Sequence, residues 1–258
     1  MLIKLTEKCS MGCNHCISDC KVSGKDMDVE TFKDTLKFLD RNLSSFPVLL
    51  LSGGEPLESE YFDQIMEELI AFQKKTFGRK IKVPVTIVTN GTQLEKNPEK
   101  YIKLISDMKR VGIDLRFQVT TDKRYYPYRI NVNKSIFKHK NVCLCIDPVD
   151  YIYPLGRALT NNIPAHNYSV PQCFNLKSNV KKGKSLKEVV KAMEFAGKFC
   201  CPQISPNGEI KLGESSLCPS IGTIYDSMST IESGIRNLQC SKCDHIIDNM
   251  SPQLKAMW

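Results

Sequence analysis

The chemistry-bearing residues of this chain are its cysteines. Cys9, Cys13 and Cys16 stand with three and then two residues between them, in the run CSMGCNHC directly after a short apolar segment. Three soft thiolates on one loop suit an iron-sulfur cluster. Three ligands for four irons leave one iron open, whereas a structural zinc site is normally closed by four ligands. Cys20 is the candidate fourth ligand for zinc, and spacing alone leaves iron-sulfur, zinc and unligated thiols all standing. A second group follows near the C-terminus: Cys201, eleven residues, Gly213, four residues, Cys218, then Cys240 and Cys243. Four thiolates can close a full [4Fe-4S] site, and paired cysteines can equally make a zinc ribbon. Cys200 adjoins Cys201 as a rival ligand. Cys20, Cys143, Cys145 and Cys173 stay unassigned, with buried free thiol the default for the strand pair Cys143 and Cys145 and a hydrogen donor or acceptor the alternative.

Composition narrows the setting. At 258 residues, 41% hydrophobic and 25% charged, the chain can bury one sizeable core with a small appended unit. Its apolar runs are strand-sized, such as Phe46 to Leu51, and none approaches the ~20 residues a membrane-spanning helix needs. No membrane partner is expected. Nothing before Cys9 has the basic segment, apolar run and cleavage site of an export signal, so the expected location is the cytoplasm. Reducing conditions there argue against reading twelve cysteines as a disulfide framework, and metal ligation is the better account. The net charge of +8 comes from 36 basic residues, mostly lysines spread over solvated-looking helices. A Lys-rich soluble surface is favoured over a nucleic-acid partner.

The elements that must position these residues can be read from periodicity. Strand-like runs recur at Leu2 to Leu5, Val48 to Leu51, Val83 to Val88, Leu115 to Val119 and Val142 to Ile146. Asp28 is placed to cap a helix with Val29, Phe32, Leu36 and Leu39 on one face. Phe62, Ile65, Met66, Leu69 and Ile70 repeat the pattern, and Ile102, Ile105 and Met108 mark a third helix. Such alternation predicts an α/β fold with a parallel sheet covered by helices, and sites in the loops at the strands' carboxyl ends. After Ile146 the prolines at 148, 154, 164 and 171 break the pattern. A helix over about Ser185 to Lys198 then precedes a short-segmented, cysteine-rich tail, so the predicted units are 1–198 and 199–258. Within the tail, Gln203 to Ser205 and Glu209 to Leu212 flank an Asn207-Gly208 hairpin turn.

Further motifs complete a resemblance. LSGGEPL, with Ser52, Gly53, Gly54 and Glu55 at its centre, ends the second predicted strand, and Thr89-Asn90-Gly91 ends the third. With the cysteine triad and His15 before its last member, the chain resembles the radical S-adenosylmethionine (SAM) superfamily over about residues 1 to 160. His15 departs from the usual Phe or Tyr. The resemblance implies a partial (β/α)6 TIM-like barrel. It further implies a [4Fe-4S] cluster on Cys9, Cys13 and Cys16 and SAM held by Ser52 to Glu55, Thr89 and Asn90. Gln118, Thr120 and Asp122 would correspond to residues near methionine or ribose, and His15 would meet adenine. YPLGRA, Tyr153 to Ala158, is similar to a segment found after the fifth strand of some members. It offers Arg157 to the cofactor carboxylate or to substrate, a surface arginine being the other reading. The tail resembles the twitch domain, a shortened relative of the SPASM domain, which implies a small α+β unit with a second, auxiliary [4Fe-4S] cluster on Cys201, Cys218, Cys240 and Cys243.

What this implies for activity is reductive cleavage of SAM to a 5′-deoxyadenosyl radical, fed by a flavodoxin or ferredoxin, and hydrogen abstraction from substrate. A single twitch-like cluster favours net oxidation of a small molecule. Peptide modification, as in maturases of ribosomal peptides, is the alternative; many of those carry a recognition domain ahead of the barrel, for which Cys9 leaves no room. A non-catalytic zinc- or nucleic-acid-binding module is the reading of another class. Tyr125, Tyr126, Tyr128 and Arg129 are candidate substrate contacts by position alone.

Overall fold

The computed structural model describes residues 2–42, 49–76, 83–147, 152, 155–164, 172–195, 202–213 and 218–240. In chain order these form β1 (Leu2–Thr6), α1 (Val29–Asn42), β2 (Leu49–Gly53), α2 (Phe62–Thr76), β3 (Val83–Thr89), α3 (Thr92–Lys96), α4 (Pro98–Arg110), β4 (Ile113–Thr121) and β5 (Val142–Ile146). Then come α5 (Gly156–Thr160), α6 (Gln172–Lys181), α7 (Leu186–Phe195), β6 (Gln203–Ile204), β7 (Glu209–Lys211), β8 (Ser220–Thr223) and α8 (Met228–Asn237). The strands make one sheet in the order β5-β4-β3-β2-β1-β6-β7-β8. β1 to β5 are parallel neighbours, joined by crossovers that run through α1, α2 and α3–α4 in the first three connections and through a short 3-10 turn, Ser135–Lys138, between β4 and β5.

Register explains how this sheet divides into a core face and a site face. Ile204, Ile3, Leu51, Ile87, Phe117 and Val142 are paired in a row across six strands, and all are buried in the core. One residue further along, the alternation of a strand turns side chains to the other face. There Lys4 pairs with Ser52, and Gln118 with Val88 and Cys143. The helix side is therefore apolar and the inner side polar.

The five predicted barrel strands are β1 to β5. Asp28 does cap α1, its Oδ1 accepting the Thr31 amide at 2.7 Å, and Phe32, Leu36 and Leu39 are buried beneath it. The third predicted helix is α4, which carries Ile102, Ile105 and Met108, and a short helix the periodicity did not mark, α3, precedes it. Pro98 disfavours helical backbone at Asn97, which takes φ −130° and ψ 56°, so α3 stops and α4 restarts on the proline. The Asn207-Gly208 turn forms as expected, with Gly208 at φ +79° and Ser205 N–H donating to Glu209 O at 2.8 Å. Where the sequence suggests an appended unit, β6 pairs parallel with β1 and β7 and β8 continue antiparallel. The tail hairpin thus extends the barrel sheet and covers what would be β1's open edge.

Candidate active site

The chain leaving β1 makes a long excursion that is laced back onto itself. Glu7 N donates to Lys25 O at 2.8 Å, Cys9 N to Lys21 O at 3.1 Å, and Met27 N returns to Leu5 O at 2.8 Å. Cys9, Cys13 and Cys16 sit half-buried on this loop. Burial pushes Cys9 up to about 11 and Cys13 up to about 12, each thiol also feeling its neighbours as like charges when ionised. Cys16 is shifted the other way by a hydrogen bond with Cys20, whose buried thiol is correspondingly raised. Crowded thiols of this kind ionise when a metal takes the place of their protons. Cys20 lies against Cys16, so a fourth sulfur borders the triad.

The glycine loop is seated on that excursion. Gly54 N donates to Thr6 O at 2.8 Å and Glu55 N to Lys8 O at 2.7 Å. A Cβ at Gly53 would strike Thr6 O, and one at Gly54 would strike Lys8 O. No other residue allows the two loops this approach. Ser52 stands half-buried on the inner face beside Lys4.

Glu55 locks this loop to the end of β3. Its wholly buried carboxylate accepts from Thr89 Oγ1 at 2.7 Å, Asn90 N at 2.7 Å and Leu57 N at 3.2 Å. Asn90 in turn accepts from Thr92 N and Oγ1, at 3.0 and 2.7 Å. Burial outweighs the three donors and raises Glu55 to about 7. The folded state therefore holds this proton more tightly than the unfolded chain, a contribution complete below about pH 4.5 and lost as pH rises to about 7. In cofactor-free protein, urea unfolding of wild type against Glu55→Gln should show the difference shrinking by ~3 kcal/mol across that window. A difference independent of pH would contradict the shift.

His15 closes the other side of the loop. Its ring lies 4.8 Å from that of Tyr125 and stacks on Tyr126 at 5.7 Å. Tyr126 shares a 2.9 Å hydrogen bond with Thr120 Oγ1, and Asn14 N donates to Tyr125 O at 3.1 Å. Two tyrosines proposed from position as substrate contacts are thus packed on the cysteine loop. Tyr128 is elsewhere, donating to Glu95 at 2.7 Å, and Arg129 is exposed. Gln118 is half-buried on the inner face next to Cys143, while Cys145 pairs with Thr120. Asp122 is fully buried and its carboxylate is engaged by Arg124, with Nη2 at 2.6 Å and Nε at 2.9 Å, so it serves the loop after β4.

Arg157 is placed against the cysteine loop. Its Nε donates to Cys13 O at 2.9 Å, its Nη1 to Cys20 O at 2.7 Å, and its amide to Cys16 O at 2.9 Å. Gly156, at φ +57°, has Cys16 O where a Cβ would go. The start of α5 is a clamp on the backbone of the cysteine loop. Composition gave no signal of this, because the partners are main-chain carbonyls about 140 residues away.

Of the second cysteine group, Cys201 and Cys243 lie outside the described residues. Cys218 and Cys240 are half-buried, and a Cβ at Gly213 would run into Cys218 Sγ. Among the described residues no three ligand side chains converge on one point as a single metal ion requires.

The donor chemistry of the loop, half-buried and with three thiols, fits an iron-sulfur cluster. Two buried polar atoms beside it, His15 Nδ1 and Asn90 Nδ2, have no partner among the described residues and suit a polar ligand. A family model described as the radical SAM superfamily matches residues 3–141. This chain belongs to that superfamily, and its parallel α/β sheet is the superfamily's fold. The Fe-coproporphyrin III synthase of Methanosarcina barkeri (strain Fusaro / DSM 804) is 30% identical over 122 residues, 46% of this chain and 28% of that protein. The chain thus matches little more than a quarter of that curated relative. Among solved structures, native anSMEcpe with bound AdoMet and Cp18Cys peptide is similar at a TM-score of 0.52 and 14% identity, over 93% of this chain and 80% of that one. BtrN in an open conformation is similar at 0.47 and 17%, over 92% and 80%. Among the described residues no helix is long and apolar enough to cross a membrane.

Proposed function

We propose that this enzyme cleaves SAM reductively and oxidises a small-molecule substrate by removing hydrogen, with a second cluster on Cys201, Cys218, Cys240 and Cys243 as electron acceptor. The cluster on Cys9, Cys13 and Cys16 would supply the electron that turns SAM into methionine and a 5′-deoxyadenosyl radical. The protein's part is orientation and exclusion of water. The Ser52–Glu55 loop, fixed to Thr89 and Asn90, would hold the methionine end. His15, backed by Tyr126 and Thr120, would face the adenine, and Gln118 lies on the same inner surface. Arg157 holds the loop carrying all three thiols in one arrangement. A flavodoxin or ferredoxin is the proposed reductant, the cytoplasm the proposed compartment, and 199–258 the auxiliary unit.

Support for the oxidative reading rests on Cys218 above all. Gly213, just after β7, and Cys218, just before β8, lie so close that a Cβ on the glycine would meet Cys218 Sγ, on the same sheet that carries the cysteine loop. A closed four-thiolate cluster has no open iron for substrate, which favours electron acceptance over ligation. The test is Cys218→Ser after anaerobic reconstitution. Iron is expected to fall from about eight to about four per chain, with release of 5′-deoxyadenosine kept and the oxidised product lost. Unchanged iron in the variant would overturn the second cluster.

A further inference from the structure

Lys4 is the one charged residue of β1, set between Ile3 and Leu5, and neither the fold nor the cofactor reading uses it. Register puts it on the inner face in line with Ser52, on the surface that also carries Gln118 and Cys143. It is only 3% exposed. Its Nζ donates to Ser18 Oγ at 2.9 Å, two residues beyond Cys16, and that partner is neutral. An ammonium removed from water in this way needs negative charge nearby.

The topology shows where that charge lies. The cysteine loop leaves the carboxyl end of β1. At the amino end Leu2 pairs with Gln203 in β6, and β7, running back from the hairpin, delivers Gly213 and Cys218 to that same end. Lys4 is midway along a five-residue strand, about 16 Å long, between the two groups. Consistent with this, the groups in electrostatic reach of its ammonium are Cys20, Glu7, Cys16 and Cys218. Burial lowers the lysine's affinity for its proton, and negative charge on any of these four groups opposes that shift.

We infer that Lys4 is an electrostatic positioning residue whose buried ammonium offsets the thiolate charge of an iron-sulfur cluster on Cys9, Cys13 and Cys16 and raises the potential at which that cluster accepts an electron. Net charge and its surroundings are among the quantities that set such potentials. Adding one electron to a cluster makes or breaks no bond, so the lysine acts through the field alone. This inference rests on the cluster reading given above and adds the control of its electron transfer.

The experiment is a dithionite titration of reconstituted protein, followed by electron paramagnetic resonance, without SAM or substrate. Lys4→Met keeps the stem and removes the charge, while Lys4→Arg keeps the charge. At the ambient potential that half-reduces the wild-type first cluster, the ratio of reduced to oxidised cluster is expected to fall about tenfold in Lys4→Met and to recover in Lys4→Arg. An unchanged potential in Lys4→Met at wild-type iron content would overturn the inference. Should Lys4→Met not retain iron, alkylation of the thiols in metal-free protein, mapped by mass spectrometry, replaces the titration. Cys16 and Cys20 are expected to react more slowly without the lysine, and equal rates would overturn the proposal. Iron of about four rather than eight per chain would count against the second cluster alone, leaving the first-cluster potential to decide the role of Lys4.

Discussion

Replacing Cys13 by alanine is expected to reduce dithionite-driven cleavage of SAM to the background of a protein-free control, with loss of the iron bound by the first loop. The side chain is the only thing the substitution removes. Cys13 O, which accepts from Arg157 Nε at 2.9 Å and Cys16 N at 3.2 Å, is a main-chain atom and stays. The loop keeps its backbone lacing, so lost activity reports on the thiol. With it goes one of three ligands, and a cluster held by the two that remain has a second iron exposed. Circular dichroism of the variant should match wild type. A Cys13→Ala protein that still releases 5′-deoxyadenosine at the wild-type rate would refute the assignment of this loop.

Arg157→Leu is expected to have the next largest effect, through the loop's order. The guanidinium is 19% exposed and joins Cys13 O to Cys20 O from across the barrel. Leucine fills much of the volume and leaves both carbonyls without that donor, a cost of about 2 to 4 kcal/mol for charge-assisted bonds in a half-buried setting. Thermal unfolding should move down, and a chelator should strip iron on the order of tenfold faster. The conservative change Arg157→Lys is not expected to rescue the loop, because one ammonium cannot reproduce a fork aimed at two carbonyls. Iron release at the wild-type rate from either variant would show that the clamp is dispensable.

The parts of this molecule that were legible in its sequence are those whose signal is local. CSMGCNHC, LSGGEPL and TNG each declare themselves within a few residues, because the backbone approach at Gly53 and Gly54 and the acceptor role of Glu55 are met by short stretches of chain. β1 to β5 and α1 likewise carry their periodicity internally. What escaped reading is what depends on partners far away in sequence. Arg157 follows a glycine like many surface arginines, and only the folded chain brings it to the carbonyls of Cys13 and Cys20. Asp122 occupies a position the resemblance sets near methionine or ribose, and its carboxylate accepts two bonds from Arg124 two residues on, a pairing the sequence did not signal. β6 has two residues, too few for any period, so its pairing with β1 could not be foreseen. Lys4 did leave a trace, since a lysine between Ile3 and Leu5 in a five-residue strand marks a face that is not core.

The measurement that tests the account most directly is iron per chain after anaerobic reconstitution of the wild-type protein, taken together with dithionite-driven release of 5′-deoxyadenosine from SAM. Bound iron of at least about four per chain with nucleoside release is the result expected from a cluster on Cys9, Cys13 and Cys16. Zinc in place of iron, with no release, would contradict it.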